Sequence, residues 1–268
     1  MRALVTGGAG FVGVNLVNRL VDDGHEVIVF DNLSTGSQKN INKNAKFFLI
    51  DISHQPYFED NKMDDIMNGV DVIFHMAALA RIQPSIKNPK ETIVNNFNST
   101  LNILDCARKY DIPVIYAGSS SKHHGLYGSP YAWSKYGGEE LCKLYSEVYE
   151  LNTTICRFYN VYGPNHIRTG TYATVIGIFE NQYLKGEPLT IVGDGEQRRD
   201  FTHIDDIVDG LIRCVGKNHK GKTFELGTGK NYSINEVSEM FRAMGHNDVT
   251  YIPARPGEYD VTLCDYSK

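Results

Sequence analysis

The chain has 268 residues, a net charge of -5 and a 41% hydrophobic composition, which suits one large α/β domain with a small appendage or two modest domains. There is no basic block or stripe, so nucleic acid is not an expected partner. No apolar run is long enough to cross a bilayer and no leader pattern precedes the first strand, so the chain reads as cytoplasmic, with no membrane partner.

The first 160 residues alternate short apolar runs with amphipathic segments. Strands are predicted at Ala3 to Val5, Glu26 to Phe30, Lys46 to Ile50, Asp71 to His75, Val114 to Ala117 and Thr153 to Phe158. Helices are predicted over 12–22, 91–109 and 132–149. This rhythm implies βαβ units with right-handed crossovers and a doubly wound parallel sheet. Beyond Arg157 the pattern loosens. Gly163-Pro164 interrupts it, a helix is predicted over 174–184, and Gly193-Asp194-Gly195 marks a turn. A helix over 204–215 and a strand at Thr223 to Leu226 look like a return to the sheet, and a last helix is predicted over 233–244. The expected division is a cofactor-binding domain over 1–160, rejoined by 200–230, and a small substrate-binding region from 161–199 and 231–268. Cys106, Cys142, Cys156, Cys214 and Cys264 are scattered and odd in number. They read as reduced thiols, with no metal site.

Gly7, Gly10 and Gly13 form a G-x-x-G-x-x-G spacing between the first strand and first helix. The first glycine permits a tight turn, the second lets backbone approach a pyrophosphate, and the third lets helix and strand pack closely. The helix N-terminus adds N–H donors for phosphate. A plain glycine turn is the competing reading, and the strand–turn–helix context argues against it. Asp31 follows 18 positions after Gly13. A carboxylate there accepts from ribose hydroxyls and repels a 2′-phosphate, which favours NAD over NADP. Asp51 could accept from an adenine amino group or simply cap a helix.

Tyr131 and Lys135 form a Y-x-x-x-K at a helix start, one turn apart on one face. A nearby ammonium favours the phenolate, so the phenol could take a proton from a hydroxyl. With 16 tyrosines in the chain, chance matches are expected. Ser119-Ser120-Ser121 at the carboxyl end of the fifth strand adds weight, because such sheets bind ligands there.

On these residues the chain resembles the extended short-chain dehydrogenase/reductases, and within them the NAD-dependent epimerase/dehydratase family. It is most similar to UDP-glucose 4-epimerases, over nearly its whole length. The resemblance rests on Val5 to Gly13, Asp31 to Gly36, Phe74 to Ala78, Asn95 to Thr100, Arg157 to Pro164, Gly193 to Phe201 and Arg255 to Glu258. It implies a Rossmann α/β fold, an NAD cofactor, a nucleotide-sugar substrate and a homodimer built on the 91–109 and 132–149 helices. It makes Tyr131 the base, Lys135 its electrostatic partner and ribose ligand, and Ser120 the catalytic hydroxyl. Phe11, Val12, Asn32, Ser34, Thr35, Gly36, Ile52, Met76, Ala77, Ala78 and Asn95 would complete the cofactor site, with Tyr159 near the nicotinamide. Asn160, Arg199, Arg255 and Glu258 would hold the sugar nucleotide, a role the guanidinium fork suits.

Several positions depart from the family. Ser121 and Lys122 stand where dehydratases carry an acidic pair, and where a decarboxylase wants a glutamate, so both activities are disfavoured. His123-His124 replaces a Val-Tyr pair and reads as solvated. The Ser120–Tyr131 loop and the C-terminal segment are short. The expected activity is therefore nucleotide-sugar 4-epimerisation. The alternatives are a nucleotide-sugar oxidoreductase with net NAD(H) turnover or a non-catalytic NAD sensor.

Overall fold

A computed structural model describes residues 1–54, 61–246 and 248–265. Seven parallel strands form the central sheet in the order β3-β2-β1-β4-β5-β6-β11. They are β1 (Arg2–Thr6), β2 (Glu26–Asp31), β3 (Lys46–Leu49), β4 (Val72–His75), β5 (Val114–Ser119), β6 (Thr153–Phe158) and β11 (Lys222–Leu226). The order reverses between β1 and β4, and ligands bind outside the carboxyl ends of strands at such a switch point. Each predicted strand falls on one of these, with Ile50 and Asp71 lying one residue outside β3 and β4. β11 pairs in register with β6, Lys222 against Thr154, which returns the second half of the chain to the sheet.

Strand alternation splits the core in two. Ala3, Val5, Val27 and Val29 face a layer with Leu16, Val17 and Leu20 of α1 (Phe11–Asp22) and Ile204, Ile207 and Leu211 of α8 (Ile204–Arg213). Leu4, Ile28 and Phe30 face the opposite layer, with Ile103 and Leu104 of α5 (Ser99–Tyr110) and Cys142 and Tyr145 of α6 (Pro130–Tyr149). Each such buried apolar side chain stabilises the fold by about 1.5–3 kcal/mol.

The segment predicted as one helix over 91–109 is interrupted. It begins as α4 (Pro89–Ile93), widens into a π turn at Val94–Asn98 and continues as α5. The wide turn contains Asn96, whose side-chain amide accepts from Leu79 N–H at 2.7 Å and donates to Ser134 Oγ at 3.0 Å. Such turns commonly sit beside functional sites. The helices α2 (Asn61–Met67) and α3 (Ile82–Lys87) were not predicted. At seven and six residues they are too short to show a helical period.

A smaller layer stands over the carboxyl edge of the sheet. β8 (Leu189–Val192) pairs with β13 (Val249–Ile252), β9 (Arg198–Asp200) with β12 (Asn231–Ser233), and β7 (Val161–Tyr162) with β10 (Thr202–His203). Phe179 of α7 (Val175–Lys185) packs with Leu189, Ile191, and Ile234 and Val237 of α9 (Ile234–Ala243). These strands of two to four residues are too brief for a period-two signal.

Candidate active site

A cavity of about 1340 Å³ lies between the glycine loop, the carboxyl ends of β4–β6 and the smaller layer. This exceeds the 300–1,000 Å³ usual for a single small-molecule site. Its floor is the loop after β1. Gly7 has φ +70°, a conformation side chains rarely adopt, and a Cβ there would stand 2.7 Å from Ala77 Cα. At Gly13 a Cβ would meet Gly7 carbonyl oxygen at 2.1 Å. Both glycines therefore serve close backbone packing, and Gly10 caps α1 with its free first-turn N–H groups toward the cavity side.

Asp31 ends β2, accepting from Ala9 N–H at 2.9 Å and Leu33 N–H at 2.7 Å. The carboxylate thus braces the glycine loop and keeps lone pairs for a ribose. Burial would raise the Asp51 carboxyl, but hydrogen bonds from Ser53 and Asn32 hold it below its ordinary value. Phe11, Val12, Asn32, Ser34, Thr35, Ile52, Met76, Ala77, Ala78 and Asn95 also line the cavity, as do Gly7, Gly10, Gly13, Asp31 and Asp51. Gly36 does not; a Cβ on it would press on Ala9 at 2.7 Å. These residues fit a dinucleotide: a glycine cradle that any Cβ would fill, a helix N-terminus and a carboxylate at the second strand.

Tyr131 faces the cavity from the first turn of α6. That helix starts cleanly because Ser129 accepts from Ala132 N–H and Pro130 takes the first helical position. The phenol donates to Ser119 Oγ at 3.3 Å. Burial raises the Tyr131 pKa, while the Ser119 bond and the Arg81 charge oppose that rise. Ser120 also lines the cavity, but the phenol reaches Ser119, the last residue of β5. Lys135 is 4% exposed and, contrary to expectation, is not among the residues lining the cavity; its ammonium stands 4.2 Å from the centre of the Tyr116 ring. Burial pulls its pKa down to about 8, against the attraction of Glu139.

Behind this wall lies a buried charge network. Arg157 donates to both Glu139 oxygens, at 2.7–3.1 Å, and to Glu225 at 2.6 Å. Glu139 is fully buried and also accepts from Ser119 N–H at 3.4 Å. Burial would raise Glu225, but His123 and Arg157 hold it down to about 2. His75, buried between Thr6 and Thr100, is driven by burial to about 3 and stays neutral.

Two expectations are corrected. Tyr159 is 1% exposed, off the cavity wall, and its phenol donates to Glu225 at 3.0 Å. Its neighbours Phe158 and Asn160 face the cavity instead, because successive side chains at a strand end point to opposite sides. The histidine pair is not simply solvated. His123 Nε2 lies 3.0 Å from Glu225, and His124 stacks on Tyr259 at 4.5 Å.

The smaller layer supplies the far wall. Arg199 donates to Glu258 at 3.3 Å and to the Arg198 carbonyl at 2.9 Å. Asn160 donates to the Asp200 carbonyl and to Thr262, both at 2.9 Å. Arg199, Arg255, Glu258 and Asn160 all line the cavity, and Arg255 is exposed. Arg81 is a cavity residue that motif reading did not touch, while Ser119 and Phe158 were named only as part of the serine run and of the Arg157 to Pro164 motif, with no role given.

The sequence matches the profile of the NAD dependent epimerase/dehydratase family over residues 3–227. The chain belongs to that family. The relatives carry more than one activity. A UDP-N-acetyl-alpha-D-glucosaminuronate decarboxylase of Bacillus cytotoxicus is 34% identical, with 94% of this chain and 83% of that protein covered. The UDP-glucose 4-epimerase of Thermotoga maritima, solved with UDP-glucose, is 30% identical with a TM-score of 0.92, over 100% of this chain and 90% of that one. The UDP-glucuronic acid 4-epimerase of Bacillus cereus, solved with UDP-glucuronic acid and NAD, is 27% identical with a TM-score of 0.88, over 100% and 91%. NAD is the cofactor of this family, and the glycine cradle is built to hold it. Among the described residues no cluster of His, Cys, Asp or Glu could hold a metal ion, and no helix is long and apolar enough to cross a membrane.

Proposed function

We propose that the protein is a nucleotide-sugar 4-epimerase acting through transient oxidation at C4. The observation that carries this reading is the cavity-facing Tyr131 phenol. It is hydrogen-bonded to Ser119 at the carboxyl end of β5, in the same cavity as the glycine loop. Bound NAD supplies the hydride acceptor and donor for C4 and, when oxidised, a positive charge. Tyr131 takes the proton of the 4-hydroxyl, so that the C4–O bond becomes a carbonyl. The keto sugar turns over in the wide cavity, and Tyr131 returns the proton once C4 is reduced on its other face. Ser119 orients the phenol, and Ser120 on the cavity wall donates to the sugar oxygen. Lys135, one helical turn after Tyr131, serves as charge partner and ribose ligand by turning its ammonium from the Tyr116 ring toward the cavity. Asn160, Arg199 and Arg255 hold the nucleotide diphosphate, with the arginines matching phosphate oxygens, and Glu258 orients Arg199.

The absence of a carboxylate at Ser121 and Lys122 favours epimerisation over loss of water, since no side chain there could serve as the acid/base pair. Trp133, Leu144, Val148 and Tyr149 on α6 are 41–59% exposed. They supply an apolar face for a homodimer, which light scattering at micromolar concentration would read as twice the chain mass. The functional test is conversion of UDP-galactose to UDP-glucose without net change at the nicotinamide absorbance band. Tyr131→Phe should lower kcat about 10²–10⁴-fold. A stoichiometric rise in NADH would contradict the reading and favour a net oxidoreductase.

A further inference from the structure

Arg81 lies at the N-terminal boundary of α3 with extended backbone, φ -152° and ψ 142°. It shares the cavity wall with Tyr131, Ser119 and Tyr172. Its Nε donates to the Tyr172 carbonyl at 2.8 Å. Among the described residues neither terminal nitrogen has a protein acceptor, and neither is among the buried unpaired atoms, so both open toward the cavity. Most other arginines of this region are held: Arg157 by Glu139 and Glu225, Arg198 by Asn231 and Glu236, and Arg199 by Glu258. Arg255 also lines the cavity but is exposed to solvent, on the smaller layer. Arg81 is therefore a guanidinium in a partly closed cavity with its fork free. Burial lowers its pKa, and the attraction of Tyr131 and Glu258 opposes this. Glu258 itself is hydrogen-bonded to Arg199.

A desolvated guanidinium with an unused fork calls for an anion. We propose that Arg81 is an anion subsite for the sugar, so that the preferred substrate is a nucleotide-linked uronic acid. The inference rests on the 4-epimerase reading, because it uses Tyr131 to place C4. The carboxylate carbon of a uronic acid is two bonds from C4, beside the phenol whose charge Arg81 feels. The diphosphate lies at the other arginines, Arg199 and Arg255, on the far wall. A planar fork binds a carboxylate through two parallel N–H···O bonds, whereas a neutral hydroxymethyl group offers one oxygen.

The test compares kcat/KM for UDP-glucuronic acid and UDP-glucose in the NAD-loaded enzyme, with Arg81→Met and Arg81→Lys. The wild type should prefer the uronic acid. Arg81→Met should slow both sugars through the lost charge beside Tyr131, and should lose about 10–100-fold more on the uronic acid than on UDP-glucose. Arg81→Lys should fall between, because it keeps the charge and loses the fork. Equal losses on both sugars, or no wild-type preference, would overturn the subsite. So would a weakened NAD affinity in Arg81→Met, which would place the guanidinium on the cofactor. If neither sugar turns over, the epimerase reading fails by itself. Calorimetric binding then decides the subsite: Arg81→Met must abolish the preference for UDP-glucuronic acid, and an unchanged ratio of affinities overturns it.

Discussion

Replacing Glu139 by Gln tests the charge network behind the catalytic wall. Glu139 is fully buried, receives three hydrogen-bond contacts from Arg157 and steadies the Ser119 N–H. Glutamine keeps the shape but removes the charge and turns one acceptor into a donor facing the guanidinium. Breaking one partner of a buried pair costs about 3–5 kcal/mol. Glu225 still holds Arg157 at 2.6 Å, which places the loss at the low end, about 3 kcal/mol. In a chain of this size that lowers the midpoint of thermal unfolding by about 6–12 °C. It should also cut kcat more than it raises KM, because Ser119 positions Tyr131. Guanidinium-chloride unfolding gives the first quantity and initial rates the second. Glu139→Gln together with Arg157→Gln should cost less than the sum of the single changes. A loss below about 1 kcal/mol, or strict additivity, would refute the reasoning.

Other consequences follow from the same geometry. Lys135 has its folded pKa depressed to about 8 from 10.5, so its charged form opposes folding at neutral pH. Lys135→Met should therefore stabilise the protein by about 1–3 kcal/mol while lowering turnover, and a destabilised variant would contradict the assignment. By the same linkage, the unfolded chain binds more protons between about pH 8 and 10.5, so this group makes stability rise with pH across that window. Glu225 gives the same sign in an acid window, but there it is the charged form that favours folding. Its folded pKa is lowered to about 2 from 4.5, so its contribution is present above 4.5 and lost as pH falls toward 2. Glu225→Gln should flatten the acid limb of a stability–pH curve, and an unchanged limb would be evidence against the pairing. Asp31→Ala removes the brace on Ala9 and Leu33 and the ribose acceptor. NAD affinity should drop about 10–100-fold by calorimetry, and an unchanged affinity would contradict the cofactor placement.

The sheet was legible because its strands are apolar runs buried on both faces and separated by amphipathic helices. The glycine cradle was legible for a similar reason: steric demands at Gly7 and Gly13 leave little choice of residue. What stayed hidden depended on three-dimensional approach. Nothing in the motif after β6 says that Phe158, and not Tyr159, turns to the cavity. That follows from where β6 ends and from the pull of Glu225 on the Tyr159 phenol. The family resemblance picks Ser120 from the serine run, but the end of β5 is what puts Ser119 against the Tyr131 phenol. Arg81 carries no local pattern. Its meaning comes from Tyr172, 91 positions away, and from the fork left open. The broken helix at Val94–Asn98 escaped periodicity because Asn96 serves Leu79 and Ser134 rather than the helix surface.

The most direct test of the central claim is proton NMR of UDP-glucuronic acid and UDP-glucose incubated with the NAD-loaded protein in deuterated buffer. Inversion at C4 with no deuterium in the sugar ring is the predicted result, because the hydrogen leaves and returns within one site. Deuterium at C3 or C5 would contradict it by showing enolisation, and loss of the C6 carboxylate without a 4-epimer would contradict it by showing decarboxylation.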